Sequence, residues 1–111
     1  MSEVRKLLED AITQFNSKVD EDEKLAKELE GIERSIAVKI SDEGDYHFVL
    51  KDRHATPLGD GDIDADIEVL TDKDTFMALF RKEMGPMKAI ATKKLKINAS
   101  LQDMIRIRKF F

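Results

Sequence analysis

An α+β fold is predicted by three features of the chain. The first thirty residues repeat apolar side chains at helical spacing. Residues 36–58 then alternate apolar and polar side chains in short runs split by turn residues. The remainder interleaves two more alternating runs with helical ones. Five strand-like runs result, with helices before and after them.

Val4, Leu7, Leu8, Ala11, Ile12 and Phe15 recur at helical spacing, and Ser2 is placed to cap the start. This predicts an amphipathic helix within residues 1–19 that packs one stripe against the domain. Its polar face mixes acids and bases rather than being basic, which argues against a membrane-surface helix. Asn16-Ser17 reads as an interruption. Asp20 is then positioned to cap a second helical stretch carrying Leu25, Leu29 and Ile32, ended near Gly31.

Ile36, Val38 and Ile40 alternate with Ala37 and Lys39, giving the first strand. Asp42-Glu43-Gly44-Asp45 supplies a turn, and Tyr46 to Leu50 runs back. Asp52-Arg53 turns the chain into a third strand near His54 to Leu58. Pro57 cannot donate to a ladder, so this strand belongs at a sheet edge. Ile63, Ala65, Ile67 and Val69 oppose Asp62, Asp64, Asp66 and Glu68, the pattern of a fourth strand with one solvated acidic face. Thr71 and Asp74 resemble a capping box opening a helix through Met84. Gly85-Pro86 breaks that helix and begins another, because proline suits a first helical position. Leu95 and Ile97 alternate with Lys94, Lys96 and Asn98 as the fifth strand, and Ser100 with Asp103 opens a last helix.

A chain of 111 residues is expected to form one domain over 1–111 with a core that needs no staples. Cysteine is absent, which removes disulfides, thiolate chemistry and Cys-ligated metal and fits a cytoplasmic location. No run approaches the ~20 apolar residues of a membrane span. The N-terminus does not read as a signal peptide, nor Lys109-Phe110-Phe111 as a retention or peroxisomal address.

The net charge of -4 is unevenly spread. Residues 1–80 carry 10 basic and 21 acidic groups, whereas residues 81–111 carry 9 basic and 2 acidic. One reading is a basic, apolar-rimmed face that makes transient contact with an anionic membrane surface. The plainer reading is solvated helix surface. Nucleic acid is not expected, since the basic segment lacks interleaved exposed aromatics and the rest of the chain repels phosphate.

Motifs for chemistry are missing. The acidic run from Asp60 to Glu68 superficially resembles a calcium loop, but counting from Asp60 the sixth position is Ala65 and the twelfth is Thr71. His47 and His54 are the two histidines and lack the further ligands of a metal site or the partner of a general base. There is no dinucleotide fingerprint, phosphate loop, zincin motif or nucleophile elbow. No catalytic residue, cofactor or metal is expected.

What remains is an apolar surplus. Phe76, Met77, Leu79, Phe80, Met84, Met87, Ile90, Ala91, Leu101, Met104, Ile105 and Ile107 load three consecutive helices, and every methionine after Met1 is among them. Methionine adapts to irregular apolar shapes. Counting alone leaves three explanations open: a cavity, a dimer interface or a dense core.

The succession Ala65-Asp66-Ile67-Glu68-Val69, Asp74-Thr75-Phe76-Met77-Ala78-Leu79, Met87-Lys88-Ala89-Ile90 and Lys94-Leu95-Lys96-Ile97 resembles the sterol-carrier-protein, or nonspecific lipid-transfer, domain family. Leu29-Glu30-Gly31-Ile32 leading into Ile36-Ala37-Val38-Lys39-Ile40 is similar to that family's entry to its first strand. The core of the resemblance covers residues 20–111. It implies a five-stranded mixed, mostly antiparallel sheet of order 3-2-1-4-5, with helices covering one face and forming an apolar tunnel. It also implies a lipid or fatty-acyl ligand, carried without reaction. By position, the resemblance assigns the tunnel wall to Phe76, Leu79, Phe80, Met84, Met87, Ile90, Ala91, Met104 and Ile107.

Two places depart from the family pattern. Many relatives carry glycine before the Lys-Leu-Lys-Ile strand, where this chain has Lys93, and a Gly-Asp or Gly-Asn pair after it, where Ala99-Ser100 stands. Thr92 occupies a position where some relatives have glutamine near the ligand. The rival expectation is a protein–protein interaction or dimerisation module that uses the same apolar surface, with Phe110-Phe111 included. Oligomeric state, monomer or homodimer, is not written in the residues.

Overall fold

The computed structural model describes the backbone of residues 3–109 and the side chains of residues 3–106. Six strands form one mixed sheet: β1 (Arg34–Ile40), β2 (Gly44–Lys51), β3 (His54–Ala55), β4 (Gly59–Asp60), β5 (Ile67–Thr71) and β6 (Lys96–Asn98). The path runs β3-β2-β1-β5-β6, with β4 also pairing β2. β1 and β5 are parallel and every other pairing is antiparallel. The helices are α1 (Glu3–Glu21), α2 (Glu23–Glu28), α3 (Lys73–Phe80), α4 (Pro86–Ala91) and α5 (Leu101–Lys109). The α+β class and the mixed sheet match the expectation.

Strand register sets which side chains share a face. Ile36 stands opposite Phe48 and Ile67, Val38 opposite Tyr46 and Val69, and Arg34 opposite Leu50. Two hydrophobic clusters form on that face. The larger joins Val4 and Leu8 of α1 with Val38, Ile40, Tyr46, Leu58, Phe76 and Met77. The smaller joins Val19, Leu25 and Leu29 with Phe15, Ile32 and Leu50. Because α1 spans 19 residues, one helix contributes to both.

Several boundaries differ from the sequence reading. The first helix runs through Asn16-Ser17, since these residues cost a helix only a fraction of a kcal/mol each. The Asn16 amide is instead spent on β3. Ser2, expected to cap α1, lies outside the described residues. Asp22, not Asp20, caps α2, accepting from the backbone N–H groups of Lys24 and Leu25 at 3.1 Å each.

The third strand is split into β3 and β4 by Thr56-Pro57-Leu58, and its first piece forms the edge foreseen from Pro57. The fourth begins at Ile67 rather than Asp62. Ser35 and Asp66 exchange hydrogen bonds there: Ser35 N–H donates to Asp66 Oδ2 (2.9 Å) and Asp66 N–H to Ser35 Oγ (2.9 Å), so side chains replace the ladder. Asp72, not Thr71, caps α3 by accepting the Thr75 N–H at 2.7 Å, while the Thr71 hydroxyl donates to the Lys94 carbonyl at 3.0 Å. The fifth strand shortens to Lys96–Asn98, and the helix expected through Met84 ends at Phe80.

α3 and α4 end alike. Lys82 and Lys93 take left-handed φ values of 61° and 63° just past their helices. At α4 the Lys93 N–H donates to the Ile90 carbonyl (3.0 Å) and the Lys94 N–H to Ala89 (2.9 Å), the double bond of a Schellman motif. The residue that replaces the family's glycine thus sits where glycine is favoured.

Candidate functional site

Between the two hydrophobic clusters lies a cavity of about 410 Å³, within the size range of small-molecule sites. α1 supplies Leu8, Ala11, Ile12 and Phe15 to its wall, and the segment entering β1 supplies Leu29 and Ile32. The sheet supplies Ile36, Phe48, Leu50, Ala55 and Ile67. Ala11 and Ala55 explain the gap, because two short side chains stand where longer ones would join the clusters.

Asn16 fastens this wall. Its Nδ2 donates to the Ala55 carbonyl at 2.9 Å, and its Oδ1 accepts the Ala55 N–H at 2.7 Å. α1 is thereby held to the sheet edge beside the cavity. Nearby, His54 Nε2 lies 2.7 Å from Asp20 Oδ1 and its Nδ1 lies 3.1 Å from the Asp52 carbonyl. Both partners are acceptors, so the doubly protonated ring is favoured. The Asp20 carboxylate, helped by the Asp52 carbonyl, raises the pKa of His54.

The polar side chains on the cavity are Arg34, Asp103 and Arg106. Asp103 is 4% exposed on α5, and both of its oxygens accept from Arg34 Nε, at 3.1 and 3.0 Å. Arg106 adds a bond to Oδ1 at 3.0 Å. Burial pushes the Asp103 pKa up, but hydrogen bonds from Arg34, Ser100 and Arg106 outweigh it, and the net direction is down.

The nine residues assigned to a tunnel wall are placed as follows. Phe76 is buried in the larger cluster, Phe80 packs against it, and their rings lie 5.4 Å apart. Leu79, Met84, Ile90 and Met104 are half-buried, Ala91 is exposed, and Met87 is 53% exposed. The side chain of Ile107 lies outside the described residues. None of the eight whose side chains are described lines this cavity. Phe76 and Phe80 stand behind it, in the cluster that also holds its wall residues Leu8, Ile12, Ile36 and Phe48.

The wall residues carried two signals in the sequence. The α1 residues form a helical apolar stripe, and Asp103 stands with Ser100 at the opening of the last helix. Both histidines and, of the acidic run, Asp60, Asp62, Asp66 and Glu68 have structural partners. Among the described residues, no group of three metal-ligating side chains gathers. Asp62 and Glu68 pair with Lys39 at 3.3 and 2.7 Å, Asp60 pairs with Arg5, and His47 Nδ1 contacts the Gly61 carbonyl at 2.9 Å. No helix among the described residues is long and apolar enough to cross a membrane.

Solved structures share this fold. The sterol carrier protein 2 of Aedes aegypti, in complex with the C16 fatty acid palmitate, superposes with a TM-score of 0.65 at 16% identity, covering 99% of this chain and 96% of that one. The sterol carrier protein 2-like 2 of the same mosquito gives 0.63 at 12% identity, covering 97% and 99%. The sec-alkylsulfatase Pisa1 of Pseudomonas sp. gives 0.55 at 17% identity over 72% of this chain, which spans only 13% of that enzyme. No curated protein matches the sequence. The family model described as the SCP-2 sterol transfer family matches residues 12–111. With nearly the whole chain matched and the fold in agreement, the protein belongs to the SCP-2 sterol transfer family.

Proposed function

We propose that the protein binds and carries a lipid or fatty-acyl ligand, without chemical reaction, in the cavity between α1 and the sheet. Family membership supports lipid binding and transfer. The single observation that carries the site is the apolar cavity of about 410 Å³ between two packed clusters. Each buried methylene contributes about 0.8 kcal/mol, so an acyl chain is held with few polar contacts. Tails longer than the cavity would extend toward Phe76 and Phe80, which back its wall. The whole 111-residue chain acts as one such unit in this reading.

Native mass spectrometry of the purified protein, together with displacement of a fluorescent fatty acid, tests this. Ala11→Leu and Ala55→Leu are expected to fill the space and abolish displacement while leaving urea stability unchanged or higher. Undiminished binding in both variants would move the ligand elsewhere.

A second reading rests on α5. Leu101 and Ile105, one turn apart, are 78% and 51% exposed, in the basic final third of the chain. This face would meet either an anionic membrane surface during transfer or a second subunit. Sedimentation separates the two: a tight dimer supports the subunit, and a monomer that binds anionic vesicles supports the membrane.

A further inference from the structure

One seam of the cavity wall is closed by side chains instead of a backbone ladder. α1 forms one side of it with Ala11, Ile12 and Phe15, and β3 forms the other with Ala55. Asn16 bridges the seam by bonding both backbone groups of Ala55, and His54 Nε2 bridges it by meeting Asp20 Oδ1 at 2.7 Å.

The two sides are unequally held. α1 is anchored beside the seam by Val19, which is 3% exposed and packs with Leu25 and Leu29. β3 has two residues, lies at the sheet edge, and follows a turn in which Asp52 and Arg53 take left-handed φ values of 51° and 68°. Hairpin turns of this kind favour glycine, and neither residue is one. Such strain persists only where surrounding contacts enforce it, and it gathers at switch regions. The side free to move is the hairpin tip, residues 52–55.

The His54 contact is conditional. Its two ring nitrogens both meet acceptors, Asp20 Oδ1 and the Asp52 carbonyl. A neutral imidazole has one N–H, so loss of a proton forfeits one of these bonds, and the attraction to Asp20 goes with the charge. Lys51 stands opposite His54 in the strand register, and the Asp52 and Arg53 side chains adjoin it in the turn. Asp20 and then the Asp52 carbonyl raise the His54 pKa, outweighing burial and the opposing charge of Arg53. The change of charge therefore falls above the ordinary histidine value of about 6.5.

Resting on the carrier reading above, we propose that the hairpin tip bearing His54 and Ala55 is a flap over the cavity, latched to α1 by Asp20, through which the ligand enters and leaves. Protonated His54 holds the flap shut, and rising pH frees it and speeds exchange. Asn16 does not titrate and returns the flap to the same closed position at every pH.

Stopped-flow release of Nile red, a neutral probe that does not itself titrate over the range, tests the proposal. Release from wild type is expected to be about threefold faster at about pH 8.5 than at about pH 5.5, the scale set by an exposed ion pair. His54→Gln and Asp20→Asn should release quickly at both, with circular dichroism guarding against unfolding. In a second measurement Asp20→Cys and His54→Cys are combined and bridged by a short bismaleimide, the chain having no cysteine of its own. The bridged protein should release Nile red more slowly than wild type, and the unbridged one faster.

A pH-independent rate in wild type, a pH dependence that survives His54→Gln, or equal release from bridged and unbridged protein overturns the flap and leaves the carrier reading standing. Wild type from which neither palmitate nor a lysophospholipid displaces Nile red overturns both.

Discussion

Asn16 of α1 and Ala55 of β3 are joined by two hydrogen bonds, 2.9 and 2.7 Å long, in which a side-chain amide takes the place of a neighbouring strand. Ala55 is 8% exposed, so its backbone groups have little access to water. Replacing Asn16 with alanine leaves a buried donor and acceptor unmet. The expected loss is about 2 kcal/mol, read as a lower urea midpoint at unchanged slope. An unchanged midpoint would show that the pair contributes nothing.

Asp103 makes stability depend on acid. Its folded pKa lies below the ordinary carboxylate value, because the Arg34, Ser100 and Arg106 hydrogen bonds overcome burial. The contribution is therefore present above an unfolded value of about 3.9 and is lost as pH falls from there through the folded value. Acid unfolding of wild type should be steeper over that window than that of Asp103→Asn. Equal slopes would place the acid sensitivity on other carboxylates.

His54 works in the opposite direction. Its partner Asp20 raises its folded pKa, so the stabilisation is fully present below an unfolded value of about 6.5 and disappears as pH rises through the folded value. NMR titration of the His54 ring should show the elevated midpoint. The midpoint should fall in Asp20→Asn, where the largest cause of the shift is removed. A midpoint unmoved by that substitution would assign the shift to the Asp52 carbonyl.

Lys93 holds a φ of 63° at the end of α4 and is exposed. A Cβ in this conformation is disfavoured, while glycine adopts it freely. Lys93→Gly is expected to stabilise the protein by about 0.5–1 kcal/mol, the strain relieved being partly offset by the greater freedom of glycine in the unfolded chain. Lys93→Ala keeps the Cβ and should show no comparable gain. Thermal midpoints of the two variants decide it.

Much of the architecture was legible because it is periodic. The Val4–Phe15 stripe, the alternation of Ile36 to Ile40 and Tyr46 to Leu50, and the Gly85-Pro86 break each follow from spacing that only one local structure satisfies. Boundaries were legible less often. Asp66 and Ser35 replace backbone pairing by a contact 31 residues apart, which no local pattern announces. Asp22 and Asp72 prevailed over Asp20 and Thr71 as caps because the chain had other uses for the latter pair, at His54 and at the Lys94 carbonyl.

The site divides the same way. Sequence alone determined that this chain has an apolar surplus and an α1 stripe able to cover a sheet, and the residues carrying the family resemblance pointed to lipid. Tertiary structure decided where empty space remains. Helix and strand periodicity state which face of each element is apolar, but a cavity depends on how far apart two packed faces stand and which side chains fill the interval. Here Ala11 and Ala55 leave the interval open between the Val38 and Leu25 clusters. Arg34, Asp103 and Arg106 converge at its end from opposite sides of a fold in which Arg34 and Asp103 lie 69 residues apart. Volume and convergence are properties of packing, and packing exists only once the elements have met.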